Sequence, residues 1–305
     1  MKKTRTSRWL LAAAVCIFFV VPVAAQKSRS AAAAVPAKPM IFAVLSDGGV
    51  LEPIAYVNKG KLTEPVSGSD APKSIAAFDK TYYKPGTSYR LIFGSVNAGT
   101  VTVKDSNPGA DCGKNMGNVT TKAAKTPLKG LVMGLATNAP GKSIGEGLRR
   151  KPTAAEKDDI ESLVKSEFQS HKITPTVLRY QNFTALDVDR DGKPELVGSY
   201  WVEIDKLTRA LLFFIASKGS NGKYNLGYKE YRTIDQSKVM SGEIKSVDDG
   251  VYHELLLDAF DYDGDGTSEI FTYQQSFEGA SFAVYKRAGG KWTKAFESSN
   301  YHCAY

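Results

Sequence analysis

One acidic nonapeptide occurs twice in this chain, and it constrains the fold more than any other feature. Asp187-Val188-Asp189-Arg190-Asp191-Gly192-Lys193-Pro194-Glu195 recurs 74 residues later as Asp261-Tyr262-Asp263-Gly264-Asp265-Gly266-Thr267-Ser268-Glu269. Each copy comes after a short apolar run and leads into strand-forming residues, Leu196-Val197 in one case and Ile270-Phe271 in the other. The downstream segments match in the same order. Leu211 to Ala216 and then Gly222-Lys223-Tyr224 parallel Phe282 to Tyr285 and then Gly290-Lys291-Trp292, each an apolar strand, a glycine turn and a strand opened by an aromatic residue. An internal duplication of a β unit is the economical explanation.

Both copies place Asp at positions 1, 3 and 5, Gly at 6 and Glu at 9. Hard cations such as calcium take six to eight oxygen ligands, and alternate side chains on a tightly curved segment converge on one ion. Gly192 and Gly266 permit the bend after the third Asp. A helix-loop-helix calcium site would also require Glu at position 12, where Gly198 and Thr272 stand, and strand formers come next in place of a second helix. The local sequence offers these acids no basic neighbours except the outward-facing Arg190 and Lys193, so four carboxylates per loop would repel one another unless a cation sits among them. Two calcium sites are therefore expected, one on Asp187, Asp189, Asp191 and Glu195, the other on Asp261, Asp263, Asp265 and Glu269. Magnesium, with its tighter octahedral demand, fits less well. The alternative is an acidic surface turn with solvated side chains.

The loops and the strands after them resemble the FG-GAP and VCBS-type repeats of secreted bacterial proteins and integrin-like propellers. That resemblance covers about residues 181–229 and 255–300. It implies loops lying between strands of a propeller blade, a mainly structural ion on the eight carboxylates named above, and an assembled surface that binds proteins or glycans. Glu stands at the ninth position where Asp is commoner, and two repeats fall short of the four blades a closed propeller requires.

The first 25 residues show the secretory pattern: a basic start, an apolar run from Trp9 to Val21, then Pro22 and the small residues up to Ala25. Cleavage there would place the protein outside the cytoplasm, secreted, periplasmic or at the cell surface. Residues 26–39, with Ala31 to Ala34 and two prolines, read as a flexible leader. The formal charge of +8 loses its weight as a nucleic-acid signal, because four of the 40 Lys and Arg but none of the 32 acids precede residue 26; 36 against 32 leaves +4. No later apolar run is long enough to span a bilayer, so no stable membrane span is expected once the signal is removed. Export also removes Cys16 and leaves Cys112 and Cys303, either bridged or as two separate thiols.

The rest of the chain reads as mainly β, α+β in detail. Met40 to Leu45, Leu51 to Val57, Tyr89 to Phe93, Val101 to Val103 and Leu131 to Ala136 are strand candidates separated by turn residues, giving an N-terminal meander or barrel-like domain over 40–140. Residues 105–127 read as a long loop carrying Cys112. Residues 141–152, with their glycines and Arg149-Arg150-Lys151, read as an exposed linker. Thr153 and Glu156 form a capping box ahead of Ile160, Leu163, Val164 and Phe168 at helical spacing, so one amphipathic helix is expected over about 153–170. It opens the unit 153–305, which carries the two calcium-loop repeats as a propeller-blade-like β domain.

His171, His253 and His302 lie near no recognisable nucleophile motif, and His302 beside Cys303 would point to the opposite face of a strand. No catalytic residues are assigned. The tyrosines and tryptophans of the C-terminal half read as strand packing. The expectation is a secreted calcium-binding β-repeat protein that acts as a binding, scaffold or adhesion module toward a protein or glycan. The alternative is a secreted or periplasmic hydrolase with accessory calcium sites.

Overall fold

Met40 to Leu45 are all buried, and the two faces of this strand go to different cores. Met40, Phe42 and Val44 point into one cluster with Leu51, Tyr89, Leu91, Val101, Val103 and Val119. Ile41, Ala43 and Leu45 point into another with Leu255, Leu257, Phe271, Phe282 and Val284. Because successive strand residues face opposite sides, an unbroken apolar run is what a strand buried on both faces needs. This doubly buried strand ties the N-terminal part to the second repeat.

The computed structural model describes residues 37–303 apart from 124, 126, 142–146 and 239–246. The expected signal segment 1–25 and most of the expected leader 26–39 lie outside the described residues, as does most of the glycine-rich stretch 141–147. In chain order the elements are β1 (Met40–Leu45), β2 (Val50–Asn58), β3 (Lys61–Thr63), α1 (Pro72–Tyr82), β4 (Ser88–Phe93), β5 (Val96–Ser106), β6 (Gly117–Ala123), β7 (Gly134–Thr137) and β8 (Arg149–Arg150). They continue with α2 (Ala154–Ser170), β9 (Arg179–Leu186), β10 (Glu195–Asp205), β11 (Thr208–Lys218), β12 (Tyr224–Asp235), β13 (Glu254–Phe260), β14 (Glu269–Gln275), β15 (Gly279–Ala288) and β16 (Lys291–Tyr301).

The first sheet runs β1-β7-β4-β5-β6-β2, and β1 pairs β2 as well, so these six strands close into a barrel with β3 appended to β2. α1 has no counterpart among the elements expected from sequence. It turns Ile75, Phe78 and Tyr82 inward and packs Phe78, Tyr82 and the adjoining Tyr83 into the barrel cluster. Its local signals are Pro72 at the first helical turn and the Ile75-Phe78-Tyr82 spacing. Part of the expected loop 105–127 is strand β6, whose small and β-branched residues pair along β5 from Gly99↔Ala123 to Ser106↔Gly117.

Each repeat is a four-stranded antiparallel meander, β9 to β12 and β13 to β16, with β8 added at the edge of the first. The two meanders pack face to face through Val197, Phe213 and Ile215 against Leu256, Ile270 and Tyr285. The outer face of the first is covered by α2, which contributes Ile160, Val164 and Phe168. The outer face of the second is covered by the barrel strands. Sheets that are apolar on both faces need a neighbour on each. Here a helix and a barrel supply the outer neighbours, so two repeats suffice without ring closure. α2 starts as expected: Thr153 Oγ1 accepts from the Glu156 amide at 3.2 Å, and the Glu156 carboxylate accepts from the Thr153 amide at 2.8 Å. Among the described residues no helix is long and apolar enough to cross a membrane.

Arg149 is not a solvated linker residue, which corrects the reading of 141–152. Its side chain is 6% exposed, and its Nη1 donates to Asp258 Oδ2 at 2.6 Å, to the Leu257 carbonyl at 2.6 Å and to the Met133 carbonyl at 2.9 Å. Composition could not reveal this, because the partner lies more than a hundred residues away. Of the two alternatives open for Cys112 and Cys303, the bridge is the one found: they form a disulfide with their Cα atoms 4.9 Å apart.

Candidate metal centre

The two acidic loops are the tips of equivalent hairpins. Leu186↔Glu195 closes the β9–β10 ladder and Phe260↔Glu269 closes β13–β14, so the ninth residue of each motif is the first residue of its strand. Within the loops the carboxylates repeat one another's hydrogen bonds position by position. Asp187 accepts from the amides of Arg190 and Gly192 at 2.7 and 3.0 Å, and Asp261 accepts from those of Gly264 and Gly266 at 2.7 and 3.1 Å. Asp189 and Asp263 each accept from the amide two residues on, at 3.4 and 3.2 Å. Asp191 and Asp265 do the same at 2.7 and 2.9 Å. Glu195 and Glu269 turn back to the amides of Val188 and Tyr262, both at 3.4 Å. The glycine at position 6 has φ of +78° in one loop and +96° in the other, the left-handed region that favours glycine. Position 4 is also left-handed in both, and there Arg190 (φ +62°) stands where the second loop has Gly264.

These bonds use some lone pairs and aim others inward. In each loop the three Asp residues present carboxylate oxygens that lie within 4.8 Å of one another. Glu195 and Glu269 are the most deeply buried members, 2% and 1% exposed, Asp187 is buried as well, and Asp191 and Asp265 face solvent. Burial, opposed by Arg287 and reinforced by Asp189, pushes the Glu195 carboxyl up to about 7. Burial, opposed by Lys286 and reinforced by Asp263, does the same to Glu269. The loops lie side by side, with the Ser268 amide donating to the Val188 carbonyl at 2.8 Å.

The acids do have basic partners, which corrects the sequence reading. Lys286 Nζ donates to Asp265 at 2.8 Å and Glu269 at 3.0 Å and also pairs with Asp263. Arg287 Nη1 donates to Glu195 at 2.9 Å, and its other terminal nitrogen pairs with Asp189. Both come from β15, far from the first motif and outside the second, and no local spacing rule connects them to the acids. A tertiary ion pair of this kind is invisible to motif reading. Lys193 does reach Asp191, at 3.6 Å, as a neighbour.

The donor set is all hard oxygen, held on a curved backbone and partly buried, and it fits a hard cation. Asp187, Asp189 and Asp191 with Glu195, and Asp261, Asp263 and Asp265 with Glu269, are the residues that would hold one. Lys286 and Arg287 would then have to give up their bonds to Asp263, Asp265, Glu269, Asp189 and Glu195.

Of the three histidines, His302 and His171 have structural partners, while the Nδ1 of His253 is buried with no hydrogen-bond partner among the described residues. His302 Nε2 lies 2.6 Å from the fully buried Glu52, and its neighbour Cys303 is in the disulfide. His171 caps α2 and stacks on Tyr231 with ring centroids 3.6 Å apart. Tyr224, Tyr285 and Trp292 are buried between the meanders and α2, so these aromatics serve packing. Comparison with family models, with curated proteins and with solved structures returned no match.

Proposed function

We propose that this chain is a secreted calcium-binding β-repeat protein of the FG-GAP or VCBS type. It acts outside the cytoplasm as a binding, scaffold or adhesion module toward a protein or glycan. The observation that carries this reading is the position-by-position identity of the two acidic loops. Four carboxylates in each make the same backbone bonds and turn the same three Asp residues toward one point. Two acidic turns retained only for solubility would have no reason to keep this geometry twice, since solvated carboxylates tolerate many rotamers.

In this reading the ions are structural. Calcium on Asp187, Asp189, Asp191 and Glu195 and on Asp261, Asp263, Asp265 and Glu269 supplies fixed positive charge that holds each hairpin tip closed. Because the acids converge only in the folded chain, an ion binding there favours folding by mass action, about 2.7 kcal/mol per site at one hundred times the dissociation constant.

A calorimetric calcium titration of the purified chain, paired with thermal melts with and without chelator, tests the proposal. Two bound ions and a melting temperature that falls on chelation are expected. An unchanged melt with no calcium uptake at millimolar concentration would return both loops to acidic turns held by Lys286 and Arg287, and would remove the support for the family assignment.

A further inference from the structure

Between the two meanders the packing is apolar near the acidic loops and becomes polar toward the opposite end. On the inner face of the second meander Leu256, Ile270 and Tyr285 belong to the shared core. Farther along the same sheet lies the row Glu254↔Gln274↔Ser281↔Ser299. A cavity of about 360 Å³ opens there, walled by β12 through Glu230 and by β16 through Lys294 and Glu297, with Glu64 at its margin. This is the size of a small-molecule site, far more than one metal ion needs.

At its floor lies Glu254, 9% exposed. Glu254 Oε1 is held by two hydroxyls, Thr272 Oγ1 and Tyr285 Oη, each donating at 2.6 Å. Among the described residues nothing donates to Oε2, the other oxygen, and no Lys, Arg or His nitrogen lies within ion-pair distance of the carboxyl. The nearby cations are already committed. Lys294 pairs with Glu230 at 3.1 Å and with Glu297 at 2.7 Å. Arg232 donates to the Tyr252 carbonyl and lies against the side-chain amide of Gln274. Burial accordingly raises the Glu254 carboxyl above its ordinary range, against the pull of the Thr272 and Tyr285 hydroxyls. Four carboxylates therefore border a cavity that one lysine serves.

We propose that this cavity is a binding site for a small organic cation bearing a primary ammonium, which would rest on the free oxygen of Glu254. An ammonium brings three donors and the charge the floor lacks, and the carboxylate held by two hydroxyls is preorganised to receive it. An alkyl diamine suits the charge pattern, since its second ammonium would reach the margin where Glu64 and Glu297 stand. The site is separate from the acidic loops and does not depend on their occupancy.

The test is isothermal calorimetry of the full chain with 1,4-diaminobutane, using 1,4-butanediol as the uncharged control. Saturable one-to-one binding of the diamine and none of the diol is expected. Glu254→Gln keeps the shape, removes the charge and should weaken binding roughly tenfold or more. Lys294→Met removes the competing cation and should tighten it several-fold, which keeps the proposal testable even if the buried substitution at 254 impairs folding. Absence of saturable diamine binding by both the wild type and Lys294→Met overturns it, as does equal affinity for the diol.

Discussion

Lys286 and Arg287 are consecutive residues of β15, and their side chains serve different acidic loops, the ammonium in the second and the guanidinium in the first. Neighbours on a strand face opposite sides, so one dipeptide placed between two hairpin tips reaches both. The pair neutralises part of each acid cluster. It also sets a competition, because an ion entering either loop must displace a tethered cation. Burial lowers the affinity of Lys286 for its proton, but the bonds to Asp263, Asp265 and Glu269 outweigh this and raise it, so the lysine stays charged at any ordinary pH.

Lys286→Met separates the two roles. Without calcium it leaves Asp263, Asp265 and Glu269 with no cation among them and should lower stability by roughly 1 to 3 kcal/mol. With calcium the loss should largely disappear, because the metal no longer competes with a resident ammonium. Melts of wild type and variant with chelator and with calcium read this directly. A variant equally destabilised in both conditions would mean that the second loop holds only its lysine.

The loops should also differ in the order in which they release calcium. Lys286 engages three carboxylates of the second loop, whereas Arg287 engages two of the first. The first loop is further stiffened by Pro194, while Gly264 leaves the second freer in the unfolded chain. The second loop is therefore expected to empty first as free calcium falls. Titrating Asp187→Ala and Asp261→Ala separately tests this: the variant that retains only the first site should keep the tighter ion.

Calcium uptake should depend on pH near neutrality. Burial raises Glu195 and Glu269 from 4.5 to about 7. A raised carboxyl stabilises the native state below its unfolded value, and that contribution is lost as pH rises through about 7. Calcium needs the ionised forms, so its binding displaces protons below that point. The melting-temperature gain from calcium should be larger at about pH 8 than at about pH 5.5, and calorimetry near pH 6.5 in two buffers of different ionisation enthalpy should detect proton release. Equal gains at both pH values and no proton release would show that neither glutamate is a ligand.

Much of the fold is legible in the sequence because it rests on local pattern. The duplication, the apolar runs of β1, β10 and β13 and the capping box of α2 are short-range signals, and each stands where the residues place it. α1 has only 11 residues, and its two adjacent tyrosines also suit strands, so its spacing carries little weight against the strand signals around it. The acidic loops are legible for the same local reason. Lys286, Arg287, Arg149 and the cavity over Glu254 are not, since each depends on strands that meet only after the meanders stack.

Asp258 shows the cost of such a buried junction. Its side chain is fully buried, accepts from the amides of Gly94 and Ser95 at 2.9 and 2.8 Å, and meets Arg149, whose guanidinium also lies 4.4 Å from the Phe93 ring. One carboxylate thus joins the β4–β5 turn of the barrel, β8 and β13. Asp258→Ala strands a buried guanidinium and two amides and should cost about 3 to 5 kcal/mol. Chemical denaturation measures it, and a loss below about 1 kcal/mol would mean that water reaches the junction.

The disulfide makes a prediction about the unfolded chain. Cys112 lies in the β5–β6 loop and Cys303 comes just after β16, a separation of 191 residues. In the chain-entropy account a loop of that size stabilises the fold by about 5 kcal/mol, nearly all of it by restricting the denatured ensemble. The native C-terminal segment has other anchors: the His302 amide donates to the Glu278 carbonyl at 2.7 Å, the Gly113 amide donates to the His302 carbonyl at 3.2 Å, and the His302 ring pairs with Glu52. Replacing both cysteines with serine should therefore leave the native β signature and the calcium response in place. In urea the midpoint should fall and the slope m should rise, because an uncrosslinked denatured chain exposes more surface. A lower midpoint with an unchanged slope would place the effect in the native state instead, at the contacts of His302 and Gly113.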